Sequence, residues 1–170
     1  FGFYSHSAIP VYTYGSMTRP LTEAESRRIG GRATYGLIPA DSFGTTVRRT
    51  ADNRLFIRNI YDYCGGFHTT NAQIDRTRKS HQMSFDRRFP EISNIGFEYT
   101  WGGALSLAQN GGMVFGDLAD RVYGAGFCNG TGVSRGAVFG KAIAEHACGM
   151  SSRAINILLR RKRPSRAYPK

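Results

Sequence analysis

The chain has no apolar run near the ~20 residues that a bilayer-spanning helix requires. Its longest, Ile155-Asn156-Ile157-Leu158-Leu159, is short and interrupted, which argues against a membrane-spanning helix. The opening Phe1-Gly2-Phe3-Tyr4-Ser5-His6 has neither a basic stretch nor a long apolar segment, so no secretory leader is expected there. Cysteine is scarce. Cys64, Cys128 and Cys148 are odd in number and far apart, with no Cys-x-x-Cys or Cys/His ligand pair. No metal site is therefore expected, and a reduced, cytoplasmic setting is. Acidic residues are few: 12 Asp+Glu face 23 Lys+Arg, a net charge of +11 over 170 residues. Tryptophan occurs once, as Trp101. At 41% hydrophobic and 21% charged residues, the chain is too apolar for a disordered tail and has the composition of a globular domain.

Glycine is plentiful instead. The 21 glycines are about 12% of the chain, against a usual ~7%, and most of the excess lies in the second half. The length suits one domain, or one domain and part of a second. A chain that opens on Phe rather than Met is expected to be a piece of something longer.

The first half reads as strands with two helices, the first of them capped. Ile9 to Thr18 is rich in aromatic and β-branched residues, a strand signature. Thr22-Glu23-Ala24-Glu25 has the Thr-x-x-Glu form of a capping box, predicting a helix to about Arg28 that Gly30-Gly31 closes. Thr45–Arg49 and Arg54–Arg58 flank the turn-prone Ala51-Asp52-Asn53 and read as a hairpin. From Thr69 or Thr70 to Arg88, Ile74, His81, Phe85 and Phe89 recur at mostly helical spacing, and Pro90 stops the helix. Ile95 to Trp101 reads as a strand ended by Gly102-Gly103.

The last third carries the strongest local signal. Short strands, Met113–Gly116 and Arg121–Phe127, lead into Cys128-Asn129-Gly130-Thr131-Gly132, then a helix from Val133 to Ala147 closed by Gly149. Glycines in such a loop let backbone N–H groups approach a ligand without intervening Cβ atoms. The first turn of the helix adds unpaired donors and a partial positive charge, suited to an anion or a polarised ring carbonyl. A bare Gly-x-Gly is as readily a tight turn. Within the helix, Gly132, Gly136, Gly140 and Ala144 form a stripe nearly free of side chains. Each interior glycine costs roughly 1 kcal/mol against alanine, so the stripe predicts a close neighbouring element. A dinucleotide-binding βαβ unit cannot be completed here. About 20 residues on, where a second strand with an acidic end belongs, the chain gives Ser151-Ser152-Arg153 and basic residues.

Trp101-Gly102-Gly103, Met113-Val114-Phe115-Gly116, Tyr123 through Gly136, and Gly140-Lys141-Ala142-Ile143-Ala144 resemble the C-terminal half of the D-amino-acid-oxidase-like FAD-dependent oxidoreductases. The likeness is greatest to the branch with gamma-glutamylputrescine oxidoreductase and glycine oxidase. Ile9–Tyr14 with Thr18-Arg19-Pro20-Leu21, and the hairpin Arg48–Leu55, resemble upstream segments of that branch in the same order. The likeness covers about residues 1–150. It departs at Ala108, where the family often has Thr, and at Arg19, where it often has Glu.

The resemblance implies an α+β fold: a mixed or antiparallel sheet with flanking helices forming part of a substrate domain (1–100). To this are joined the C-terminal strand, loop and helix of a FAD-binding domain (101–149) and a basic tail (150–170). It implies an N-terminal FAD-binding half outside this sequence, and a fragment inactive alone. It also implies hydride removal from a C–N bond of an amine or amino acid by flavin, the protein supplying position and electrostatics. Asn129, Gly130, Thr131, Gly132 and Val133 would hold the flavin, the amides of Gly130, Thr131, Gly132 and Val133 meeting negative charge on its pyrimidine side. Arg48 would pair with a substrate carboxylate, although a solvated arginine on a strand is the commoner case; Trp101 would wall the pocket, and a core tryptophan is as ordinary a reading. No catalytic acid or base is assigned. His6, His68 and His81 have no partner pattern, and His146 is expected as a dipole contact at its helix end. Sheet edges and the glycine stripe are expected to favour self-association.

A second reading is a basic module for nucleic acid or an acidic partner, carried by Arg160-Arg161-Lys162-Arg163, Arg166 and Lys170. Against it, basic residues are spread along the chain without interleaved aromatics on one sheet face, and no nucleic-acid motif occurs.

Overall fold

The computed structural model describes residues 2–31, 33–41, 43–63 and 68–166. Cys64 and the end of the basic tail, with Lys170, lie outside them. The fold is α+β. In chain order it runs β1 (Ala8–Thr18), α1 (Glu23–Arg28), β2 (Tyr35–Leu37), β3 (Thr46–Arg49), β4 (Leu55–Tyr63), α2 (Asn71–Arg88), a 3₁₀ turn (Pro90–Ile92), β5 (Phe97–Ala108), β6 (Val114–Ala119), β7 (Val122–Gly126), α3 (Gly132–Ala147) and α4 (Arg153–Leu159). One sheet has the order β2-β3-β4-β1-β5, and β6 pairs with β7 in a second. The β2–β3, β3–β4 and β6–β7 pairs are antiparallel. Two compact units result: Tyr12–Ala104 forms one, and the described residues up to Val11 and from Leu105 form the other.

In the Tyr12–Ala104 unit, α1 starts at the capping box expected at Thr22, and α2 starts at Thr70, one of its two expected starts. Thr22 accepts the N–H of Glu25, and the Glu25 carboxylate returns to the Thr22 N–H at 2.8 Å. Arg19 grips that carboxylate with two bonds of 2.9 and 2.7 Å, so the departure from the family pattern at this position gains a local partner. The guanidinium holds the Glu25 carboxyl down at about 2. Thr70 and Gln73 form the same reciprocal cap on α2. Thr77, His81 and Phe85, spaced by four residues, are the buried face of that helix. Phe85 packs with Leu21, Val47, Leu55, Ile57, Ile92, Ile95 and Phe97; each such side chain contributes about 1.5–3 kcal/mol by leaving water.

A polar chain crosses this core. The fully buried Ser16 hydroxyl lies 2.7 Å from His81 Nδ1 and 2.9 Å from Thr100 Oγ1. Thr100 also accepts from Arg78 Nε at 3.2 Å. His81 Nε2 is buried without a partner, and burial pushes this imidazole down to about 4.

Three elements differ from expectation. The strand expected to end at Gly102-Gly103 continues to Ala108. The Tyr12 and Tyr14 rings press on position 102, where a Cβ would lie 2.9 Å from each, so glycine there is a packing requirement rather than a stop. β2 is an added edge strand of three residues. In the segment expected as a basic tail, Ser152 caps α4 by accepting the Ile155 N–H at 3.2 Å. Ile155 then packs with Phe115, Phe139 and Ala142 as the core of the second unit.

Candidate functional site

In the second unit, β7 runs directly into the glycine loop. Phe127 and Asn129 have φ of 56° and 50°, and Gly130 has φ of 82°. Left-handed geometry at Gly130 is the one that favours a residue without Cβ. Asn129 ties the loop down with every polar atom of its side chain. Its amide oxygen accepts the Ala108 N–H at 2.8 Å, and its nitrogen donates to the carbonyls of Gly112 at 2.9 Å, Phe127 at 2.8 Å and Gly111 at 3.3 Å. The Asn129 N–H donates to Ser106 O at 3.3 Å. The residue thus fixes the loop to the end of β5 and the turn before β6, and spends its groups doing so.

The start of α3 is open. The other α-helices each carry a side-chain cap, from Thr22, Thr70 or Ser152, whereas Thr131 caps nothing. Its hydroxyl and its N–H both turn back to Cys128 O, at 2.9 and 3.1 Å, and Arg135 Nη1 reaches the same carbonyl at 3.0 Å. Of the amides singled out from the sequence, that of Thr131 is therefore used internally. Those of Gly132 and Val133 belong to the first turn, whose N–H groups have no intrahelical acceptor. Val133 is 93% exposed, so these donors and the positive end of the helix dipole face outward.

The glycine stripe differs from expectation. A Cβ at Gly136 or Gly140 would meet nothing within 4 Å, and one at Gly132 meets only Cys128 Sγ at 3.3 Å. Among the described residues no element presses on the stripe. It borders an open groove of about 510 Å³ with Phe127, Cys128, Phe139 and Ile143. His146, at the far end of α3, bonds to Asp117 Oδ2 at 2.9 Å, a specific partner that its place at the helix end did not announce. That contact holds the Asp117 carboxyl below its usual range.

In the Tyr12–Ala104 unit, the two residues singled out for substrate contact share one sheet face. Register pairs Gly36 with Arg48 and Arg48 with Phe56, which puts their Cβ positions on the same side. Phe56 stacks on Trp101 at 5.6 Å between ring centroids and 29° between planes. Gly15 lies beneath them: a Cβ there would come within 2.6 Å of Phe56 and 3.2 Å of Trp101. Trp101 is 43% exposed, so it is a surface aromatic and not core. Arg48 is exposed and borders a cavity of about 470 Å³ with Thr34, Gly36, Ile38 and Thr50. Sequence reasoning missed Phe56 and Gly15, because only cross-strand register brings them to Trp101. Among the described residues no group of three or more His, Cys, Asp or Glu could hold a metal ion.

Among curated proteins none matches the chain significantly. Glycine oxidase from Geobacillus kaustophilus has a similar fold, with a TM-score of 0.66 at 15% identity over 89% of this chain and 38% of that one. L-proline dehydrogenase from P. horikoshii gives 0.62 at 14% identity, over 91% and 40%. The chain thus spans about two-fifths of the length of these structures. The family model for the DAO family, FAD dependent oxidoreductase, matches residues 3–146. With most of its length matched, and with the sheet and the strand–loop–helix in place, the chain belongs to the DAO family of FAD-dependent oxidoreductases.

Proposed function

We propose that the chain is part of a flavoenzyme that oxidises the C–N bond of an amine or amino acid, with FAD as the electron acceptor. The observation that carries this reading is the uncapped start of α3 behind the Asn129-locked loop. Residues 101–149 would contribute to the FAD-binding domain, residues 1–100 would be part of the substrate domain, and the rest of the nucleotide site would lie on polypeptide outside this sequence. When bound, FAD supplies the redox chemistry by accepting a hydride.

The donor set fits the electron-rich pyrimidine edge of a flavin. Gly130 leaves empty space where a side chain would stand, and the Gly132 and Val133 amides sit at the positive end of a sixteen-residue helix. Such preorganised donors stabilise charge that grows during reduction; loss of one costs on the order of 3 kcal/mol in comparable sites. Thr131 shapes the turn through Cys128, and Asn129 positions it. Arg48 offers a guanidinium for a carboxylate, and Trp101 with Phe56 offers an apolar wall. The reading includes a small-molecule substrate and a cytoplasmic location.

The test is reduction of the whole, FAD-loaded protein under anaerobic conditions by a panel of amines and amino acids. Bleaching of the oxidised flavin band by a member of either class supports the reading. Absence of FAD from the purified protein, or a flavin inert to the whole panel, overturns it.

A further inference from the structure

Past Glu145 the sequence has seven Lys and Arg and no Asp or Glu. The structure holds these cations in place rather than trailing them in solvent. Met113 donates its N–H to Lys162 O at 2.9 Å, and Asn110 Nδ2 donates to Arg163 O at 2.9 Å. Pro164 is buried, and a Cβ on Gly112 would stand 2.5 Å from the Arg163 carbonyl, so the two backbones touch. Arg163 Nη1 meets the Tyr4 hydroxyl at 2.9 Å, and its charge helps to lower the Asp117 carboxyl. Arg153, Arg160, Arg161, Lys162 and Arg166 are exposed and form no ion pair among the described residues. Fixed cations with no anion between them repel one another, and an acidic surface laid against them relieves that repulsion.

α4 adds an apolar element to this surface. Ile155 is 2% exposed and belongs to the core. On the side of the helix opposite it stand Arg153, Ile157 and Arg160, spaced by four and three residues. All three are exposed, Ile157 by 48%, and Leu159 in the same last turn by 37%. An aliphatic side chain set between guanidinium groups fits an anionic bilayer. Lipid phosphates take the cations, and the aliphatic chain enters the boundary between headgroups and acyl chains. A nucleic acid offers the phosphates and nothing for Ile157, and residues 150–166 include no aromatic to stack on a base.

We propose that the outer face of α4 and the run Arg160-Arg161-Lys162-Arg163 form a docking surface for an anionic lipid bilayer. Arg153, Arg160, Arg161 and Lys162 would lie against the headgroups, and Ile157 would sink between them. The inference goes beyond the oxidation proposed above and depends on neither the flavin nor the substrate.

Cosedimentation of the whole FAD-loaded protein with lipid vesicles tests it. Binding is expected to vesicles of equal phosphatidylcholine and phosphatidylglycerol, with little to phosphatidylcholine alone, and raised salt should weaken it. R160Q/R161Q should lose about twentyfold or more in vesicle affinity. Ile157→Ser should lose about fivefold or more. R27Q/R28Q, which removes two exposed arginines from α1, should bind as the unaltered protein does. Failure to bind the mixed vesicles, or equal binding to both kinds, overturns the proposal. So does an equal loss in R160Q/R161Q and R27Q/R28Q, the sign of general attraction to a basic chain. Loss in R160Q/R161Q with none in Ile157→Ser, together with tighter binding to duplex DNA than to the vesicles, assigns the surface to nucleic acid and overturns it as well.

Discussion

The amide oxygen of Asn129 accepts the backbone N–H of Ala108 at 2.8 Å, joining the loop before α3 to the last residue of β5. With three carbonyls on the other end of the same side chain, this one residue decides where the loop sits. Asn129→Ala would leave a buried-side donor and several acceptors unpaired. It is expected to destabilise the protein by about 2–4 kcal/mol and to lower the FAD content of the purified protein. Denaturant titration and flavin absorbance check the two effects. Asn129→Asp, which keeps the acceptor toward Ala108 but loses the donors, should fall between.

Gly15 is the floor under the Phe56–Trp101 stack, and a Cβ there would stand 2.6 Å from the Phe56 ring. Gly15→Val should part the two rings at a cost of about 1–3 kcal/mol, as overpacking does elsewhere. Since Trp101 is the chain's only tryptophan, its emission in this chain reads the change directly. A red shift is expected, with stability measured alongside.

Acid should weaken the Tyr12–Ala104 unit in two windows. His81 is held at about 4 by burial, below its unfolded value near 6.5. Between those values the unfolded chain binds a proton that the folded one refuses, so stability rises with pH. Its contribution is complete above about 6.5 and is lost as pH falls through 4; the loss amounts to roughly 3 kcal/mol. Glu25, held at about 2 by Arg19, contributes stability above its unfolded value, lost as pH falls through about 2. Chemical denaturation from pH 7 to pH 3 should therefore show a falling stability, with His81→Gln flattening the upper window and Glu25→Gln leaving it intact.

What the sequence discloses and what it conceals follow from the range of the interactions. Thr22 with Glu25 and Thr70 with Gln73 are three residues apart, so both capped helices are legible. The β3–β4 hairpin is legible because Ala51-Asp52-Asn53 turns within it. Continuation of β5 through Gly102-Gly103 is not, since it depends on Tyr12 and Tyr14 from a strand some ninety positions earlier. α4 is hidden behind its basic surroundings, and only Ile155 in the core reveals its inward face. At the site, the loop and helix start are local and legible. The return of Thr131 to Cys128, the clamp of Asn129 on Ala108, and the alignment of Arg48, Phe56 and Trp101 arise from tertiary contact or register. The glycine stripe reads as a site of close approach, yet the groove beside it is open among the described residues.

The most direct test places a negative charge at the open helix start. Thr131→Asp in the whole protein complements the dipole of α3 but gives up the hydroxyl's bond to Cys128 O, so the two effects oppose each other and thermal stability of the FAD-free form should stay within about 1 kcal/mol. The same charge opposes the pyrimidine edge of a flavin. FAD affinity should drop about tenfold or more, and the flavin potential should become more negative. Affinity and potential equal to those of the unaltered protein would contradict the account, because the start of α3 would then have no part in holding the flavin.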